Sequence, residues 1–313
     1  MIRRPPRSTR KPSSAASDVY KRQYLDNDKT LIIMKSFYLL SLFCFSLAYA
    51  QEKIPVKHQK WNFTSFQEGS VVRDKKEGLL LDNVSLPEIE LYKAKGDTKT
   101  NKAMVICPGG GLYFLAYEKE GTVLAKKLAS KGITAVVLKY RTYPREGSVI
   151  KWMDNLRQTS TIVDSAKTIL PYSTKDALGA IEMIRKNASK YEVDPNKIGL
   201  MGFSAGGAVT MQAAYEATEN NQPNFIAPIY PWMAIVAPHK VPSNKPPAFI
   251  SCANDDPLEL ASPSVTIYED WIAAGAEADL HMFSKGGHGF GTNKLGIPVD
   301  RWSDLLVDWI LSL

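Results

Sequence analysis

Residues 197–216 read KIGLMGFSAGGAVTMQAAYE, and this stretch decides the reading of the chain. Lys197–Gly202 is a short apolar run of strand character, and Ala205–Thr218 has the composition of a helix. Between them stands Gly202-Phe203-Ser204-Ala205-Gly206, with Gly207 after it. A serine at a sharp strand-to-helix turn, flanked by glycines, has the setting of a nucleophile elbow. The turn lifts the hydroxyl above the sheet, and the glycines let strand and helix pack without a Cβ between them. The start of the following helix adds backbone N–H groups and positive dipole near the reacting oxygen.

A serine hydroxyl needs a base. After residue 51 the chain offers His58, His239, His281 and His288. His58 precedes the predicted sheet, His239 lies among Pro238, Lys240 and Pro242, and His281 falls inside a strand-like run. His288 sits in SKGGHGFG (284–291), directly after the last strand, where glycines let a loop present an imidazole. The group that orients the imidazole is expected between Ser204 and His288, at a strand end. Asp255-Asp256-Pro257-Leu258 follows FISCAN and meets both conditions; Asp256 is preferred, Asp255 is the alternative and Glu259 a third candidate. Acyl transfer also needs donors for a developing oxyanion. Pro108-Gly109-Gly110-Gly111 ends the strand AMVIC, so the N–H groups of Gly110, Gly111 and Ala205 are the candidates. Tyr113, Trp152 and Trp232 are candidate walls of a substrate pocket, each with a plain packing role as the competing reading. Glu118, Glu120 and Arg141 are expected to form structural pairs near the oxyanion loop.

Further runs extend the pattern. Ala103–Cys107, Thr134–Tyr140, Phe225–Tyr230, Pro247–Cys252 and Ala278–Phe283 read as strands. They are apolar nearly throughout, as in a parallel sheet covered on both faces. Glu118–Ser130, Pro263–Ala274 and Val299–Leu311 read as helices, as does a segment capped by Ser173 or Thr174 and ending near Tyr191. Strand–helix alternation over this length predicts an open α/β sheet. Gln51–Asn101 is expected to hold an antiparallel hairpin, and Arg141–Tyr172 to be a long connection.

The chain has 313 residues, 44% of them hydrophobic, and a net charge of +7. Nine Lys/Arg against three Asp/Glu in residues 1–50 account for most of that charge, so the body is nearly neutral. This argues against nucleic-acid binding, which needs clustered positive charge. Met34-Lys35, the apolar run Phe37–Leu47 and Ala48-Tyr49-Ala50 have the pattern of a secretory signal peptide, too short to span a membrane. Cleavage there would leave residues 51–313 in the periplasm or outside the cell, with no stable membrane insertion. Cys44 follows Phe43, which argues against lipoprotein modification. Met1–Gln23 resembles translated sequencing-adapter read-through, and residues 1–33 are set apart from the fold as an artefact or cloning remnant. Cys107 and Cys252 end apolar runs and are expected as buried free thiols.

Together VICPGGGLYFLAYEKEG, ITAVVLKYR, DPNKIGLMGFSAGG, ANDDPL and SKGGHGFG resemble the α/β-hydrolase superfamily. The order Ser204, Asp256, His288 is that superfamily's chain order. The closer likeness is to bacterial exported esterases related to acetyl-xylan and feruloyl esterases, with hormone-sensitive-lipase-like enzymes more distant. The resemblance implies a mostly parallel sheet of about eight strands with helices on both faces. It also implies hydrolysis of small acyl esters, often acetyl groups on polysaccharide, with neither metal nor organic cofactor. Two departures touch specificity: Ala208 stands where relatives often carry His, and Arg141–Tyr172 is longer than usual. A prolyl-oligopeptidase-type peptidase would want a larger N-terminal domain, and a lipase a more apolar lid. A catalytically inactive ligand-binding protein is the reading from another class.

Overall fold

Four of the strand-like runs are buried at every position, because a parallel sheet covered on both faces has no wet side to supply a polar alternation. The computed structural model describes residues 52–72, 76–96, 99–147, 149 and 162–313. The expectations for residues 1–50 and for Trp152 lie outside the described residues. The strands are β1 (Glu52–Pro55), β2 (Gly69–Val72), β3 (Leu79–Asp82), β4 (Glu88–Tyr92), β5 (Ala103–Cys107) and β6 (Phe114–Leu115). They continue as β7 (Thr134–Lys139), β8 (Ile198–Phe203), β9 (Phe225–Ile229), β10 (Ala248–Ala253) and β11 (Ala278–Phe283). The helices are α1 (Val123–Ser130), α2 (Ile162–Lys186), α3 (Ala188–Tyr191), α4 (Ala205–Glu216), α5 (Ala261–Ala273) and α6 (Trp302–Ser312).

Among the described residues, eight strands form one sheet in the order β1-β4-β7-β5-β8-β9-β10-β11. From β7 to β11 every pairing is parallel, while β4 runs antiparallel to both β7 and β1. Helix α1 packs on β7, α4 on β8 and β9, and α5 on β10 and β11. The edge strand β11 carries Asp279 and His281 and is only partly buried, as expected where one side of a strand meets water. The open α/β sheet read from the sequence is therefore present, with the expected number of strands.

Two local expectations need correction. Ser173 and Thr174 do not cap a helix: α2 is already helical from Ile162 and carries Pro171 inside it. Proline removes one backbone donor from the helix. The burial of Ala166, Ile169, Leu170, Ala177 and Ile181 along one face outweighs that loss. Ser173 Oγ instead donates to Arg141 O at 2.8 Å. Residues 162–172 of the supposed connection are thus helix. The N-terminal region does hold an antiparallel hairpin, β2–β3, but it forms a second small sheet with β6, while β1 and β4 join the main sheet. Cys107 and Cys252 are buried free thiols, and burial pushes the Cys252 thiol up to about 11.

Candidate active site

The parallel strands place five loops on one edge of the sheet, since their C-terminal ends all point the same way. Gly109–Gly111 follow β5, Ser204 follows β8, Tyr230 follows β9, Asp256 follows β10 and His288 follows β11.

At the turn between β8 and α4, Ser204 adopts φ 53°, ψ −116°, a conformation in which only a tightly constrained L-residue persists. The glycines around it are sterically required. A Cβ on Gly202 would lie 2.1 Å from Gly206 O, and one on Gly206 would lie 2.1 Å from Cys107 O. The Ser204 backbone is held from both sides: its N–H donates to Ile229 O at 3.0 Å, and its carbonyl accepts the Trp232 N–H at 2.9 Å.

His288 Nε2 lies 3.0 Å from Ser204 Oγ, and His288 Nδ1 lies 2.9 Å from Asp256 Oδ2. The second Asp256 oxygen accepts the Leu258 N–H at 2.8 Å, which fixes the carboxylate in its turn. Asp255 points elsewhere: its Oδ1 accepts the Gly287 N–H at 2.8 Å, bracing the histidine loop from behind. That amide holds the Asp255 carboxyl below the usual aspartate range. Glycines at positive φ, Gly287 at 65° and Gly289 at 70°, flank His288 and let the loop turn it inward.

In the glycine loop, Gly110 has φ 133° and Gly111 φ 64°. The Gly110 carbonyl accepts the N–H groups of Tyr113 and Phe114 at 3.0 and 3.2 Å, closing a tight turn. The N–H of Gly109 is used internally, donating to Glu120 Oε2 at 2.8 Å. The N–H groups of Gly110 and Gly111 have no such protein acceptor among the described residues. Ala205 is the first residue of α4, so its N–H has no intrahelical partner.

The remaining candidates are distributed as follows. Trp232 is half-buried and bonded through its backbone to Ser204. Tyr113 is buried, with its ring 5.1 Å from Tyr143, inside a cluster with Leu80, Phe114 and Val149. Glu118 accepts the Leu79 N–H and braces the small sheet. Arg141 does not pair with Glu118 or Glu120: it forms a fully buried ion pair with Asp176 on α2. Arg141 lies two residues beyond β7, where α2 brings Asp176 to it. Of the other histidines, His58 and His239 are exposed, and His281 packs on the Phe249 ring at 4.5 Å. Sequence reading missed Tyr230, whose hydroxyl donates to Glu120 Oε1 at 2.9 Å. Burial, then the Glu120 carboxylate, push its phenol well above its ordinary pKa. As the last residue of an apolar run it carries no separate signal in the sequence.

A family model described as the dienelactone hydrolase family matches residues 111–303. The chain is similar to an acetylxylan esterase from Xylanibacter ruminicola, 25% identical over 247 residues that cover 69% of this chain and 47% of that protein. The chain thus spans less than half the length of that curated relative. Among solved structures it is similar to the acetyl ester-xyloside bifunctional hydrolase from Caldicellulosiruptor lactoaceticus, with TM-score 0.58, 20% identity, and coverage of 84% and 96% of the two chains. It is also similar to MGS-M1, an α/β hydrolase from a Medee basin deep-sea metagenome library, with TM-score 0.54, 26% identity, and coverage of 80% and 100%.

Proposed function

The chain belongs to the dienelactone hydrolase family, with the α/β-hydrolase fold, and from that premise we propose that it is a serine carboxylic ester hydrolase acting on small acyl esters, acetyl groups on carbohydrate above all. One observation carries the reading: the continuous contact from Asp256 through His288 to Ser204 Oγ, at 2.9 and 3.0 Å, on a strained elbow. The likeness to an acetylxylan esterase supports the acetyl and carbohydrate part.

In this reading Ser204 Oγ attacks the ester carbonyl while His288 Nε2 takes its proton. Asp256 holds the imidazole in the tautomer that leaves Nε2 free to accept, and stabilises the imidazolium that forms. The N–H groups of Gly110, Gly111 and Ala205 are the donors for the oxyanion. His288 then protonates the departing alcohol, and a water activated by the same imidazole releases the acid from the acyl-serine. Trp232, tied to Ser204 through its backbone, is a candidate pocket wall.

The test compares the wild type with Ser204→Ala on p-nitrophenyl acetate, butyrate and octanoate, with acetylated xylan alongside. Turnover highest on acetate, acetate release from the polymer, and loss of both in Ser204→Ala are the expected results. Absence of Ser204-dependent turnover on every ester would overturn the reading.

A further inference from the structure

Three departures from regular backbone meet beside Ser204. Glu120 sits in a π-helical turn, Glu118–Thr122, that leads into α1. Tyr230, just beyond β9, is a non-glycine residue at φ 36°, and Gly291 in the histidine loop has φ 46°. Such irregularities persist where the surroundings hold them, and they concentrate at functional sites.

One hydrogen-bonded chain connects the three. Glu120 Oε2 accepts the Gly109 N–H at 2.8 Å, and Glu120 Oε1 accepts the Tyr230 hydroxyl at 2.9 Å. The Tyr230 oxygen in turn accepts the Gly291 N–H at 3.1 Å. A carboxylate and a phenol therefore bridge the glycine loop after β5 and the histidine loop after β11. Glu120 is 3% exposed and Tyr230 fully buried. Burying a carboxylate this deeply is costly unless its oxygens are bonded. The adjacent Lys119 is engaged by Glu77 at 2.7 Å, so neutral donors do the bonding. The fit is close: a Cβ on Gly109 would lie 2.5 Å from Glu120 Oε2 and 3.1 Å from Ser204 Cβ, so carboxylate and nucleophile flank one glycine. The Tyr230 ring also stands edge-on to His288, with centroids 5.1 Å apart.

We propose that Glu120 and Tyr230 are a positioning pair that fixes the Gly109–Gly111 donors and the His288 loop in one relation across Ser204. The proposal rests on the ester-hydrolase reading above. Neither residue moves a proton in the reaction. Their effect is preorganisation: the donors and the base are already placed when charge develops, which lowers the barrier without tightening ground-state binding. Removing the Tyr230 hydroxyl leaves the Gly291 N–H and one Glu120 oxygen unpaired. Removing the Glu120 carboxylate releases Gly109 from the same chain.

The test uses Glu120→Ala, Tyr230→Phe and the double variant of the full chain on p-nitrophenyl acetate; alanine is chosen because glutamine could still accept the Gly109 N–H. Reactive Ser204 is counted by phosphonate titration, and melting temperature is measured in parallel. Each single variant is expected to lose about tenfold or more in kcat per titrated serine, with KM within about twofold. The double variant should be about as slow as the worse single, because both break one chain. A fall in melting temperature or in titratable serine with kcat per serine unchanged would overturn the proposal, as would losses that multiply in the double variant. Tyr230→Phe, which removes one oxygen, carries the test if Glu120→Ala does not fold. A wild type without Ser204-dependent turnover would sink the ester-hydrolase reading itself and this proposal with it. Normal wild-type turnover with undiminished variants would sink only the positioning pair.

Discussion

Replacing Asp256 by Asn should cost far more activity than replacing Asp255, its neighbour in the chain. The Asp256 side chain has no solvent exposure, and its Oδ2 lies 2.9 Å from His288 Nδ1. When Ser204 gives up its proton, an imidazolium forms against that carboxylate. Two unit charges about 4 Å apart attract by about 4 kcal/mol at an effective dielectric near 20. That amounts to about three powers of ten in rate. Asparagine adds a second fault, because its amide can donate to Nδ1 and so hold the tautomer with the proton on Nε2, which cannot accept from Ser204. Asp256→Asn is therefore expected to lower kcat on p-nitrophenyl acetate about a thousandfold or more, with KM little changed. The Asp255 side chain is 34% exposed and accepts the Gly287 N–H, a bond that asparagine can also accept. Asp255→Asn should stay within about fivefold of the wild type, the range of a screened surface charge. The assay is steady-state kinetics on both variants, with circular dichroism to establish folding. A folded Asp256→Asn enzyme keeping more than a tenth of its kcat, or a collapse confined to Asp255→Asn, would refute the assignment of the carboxylate.

Gly110→Ala would push a Cβ to 2.1 Å from Phe114 O at φ 133°, so the loop must shift; kcat should fall about a hundredfold, as when an oxyanion donor is lost. Gly111→Ala has space, with Tyr113 Cδ2 nearest at 3.8 Å, and should cost about 1–2 kcal/mol of stability through its left-handed backbone while keeping most of kcat. Kinetics paired with thermal melts check both, and a reversed order would show that the loop is held differently. Asp176→Asn strands the fully buried guanidinium of Arg141, whose Nε lies 3.0 and 2.9 Å from the two carboxylate oxygens. It should lower unfolding free energy by about 3–5 kcal/mol; a loss below about 1 kcal/mol in urea titration would show the pair contributes little.

The parts of the fold that local physics enforces were legible. A glycine-bracketed serine between KIGLM and AVTMQAAYE reads as strand–turn–helix, and β5 and β11 begin and end where their apolar runs do. The sheet's parallel core followed from runs with no polar alternation. Where a local signal competed with packing, the local signal lost: Ser173 and Thr174 are good cap residues, yet α2 begins at Ile162 and runs through them because its face from Ala166 to Ile181 is buried.

By itself the sequence determined which loops carry chemically competent groups, because glycines, strand ends and residue types are written in order along the chain. Only the tertiary structure decided which of those groups meet. Asp255 and Asp256 are adjacent in one turn, yet one faces the Gly287 N–H and the other faces His288, since successive side chains in a turn leave in different directions. Glu120 and Tyr230 are 110 residues apart and meet through a π-turn and a left-handed residue. No spacing rule in a sequence encodes such a contact, because it depends on how β5 and β9 are ordered about β8 in the sheet.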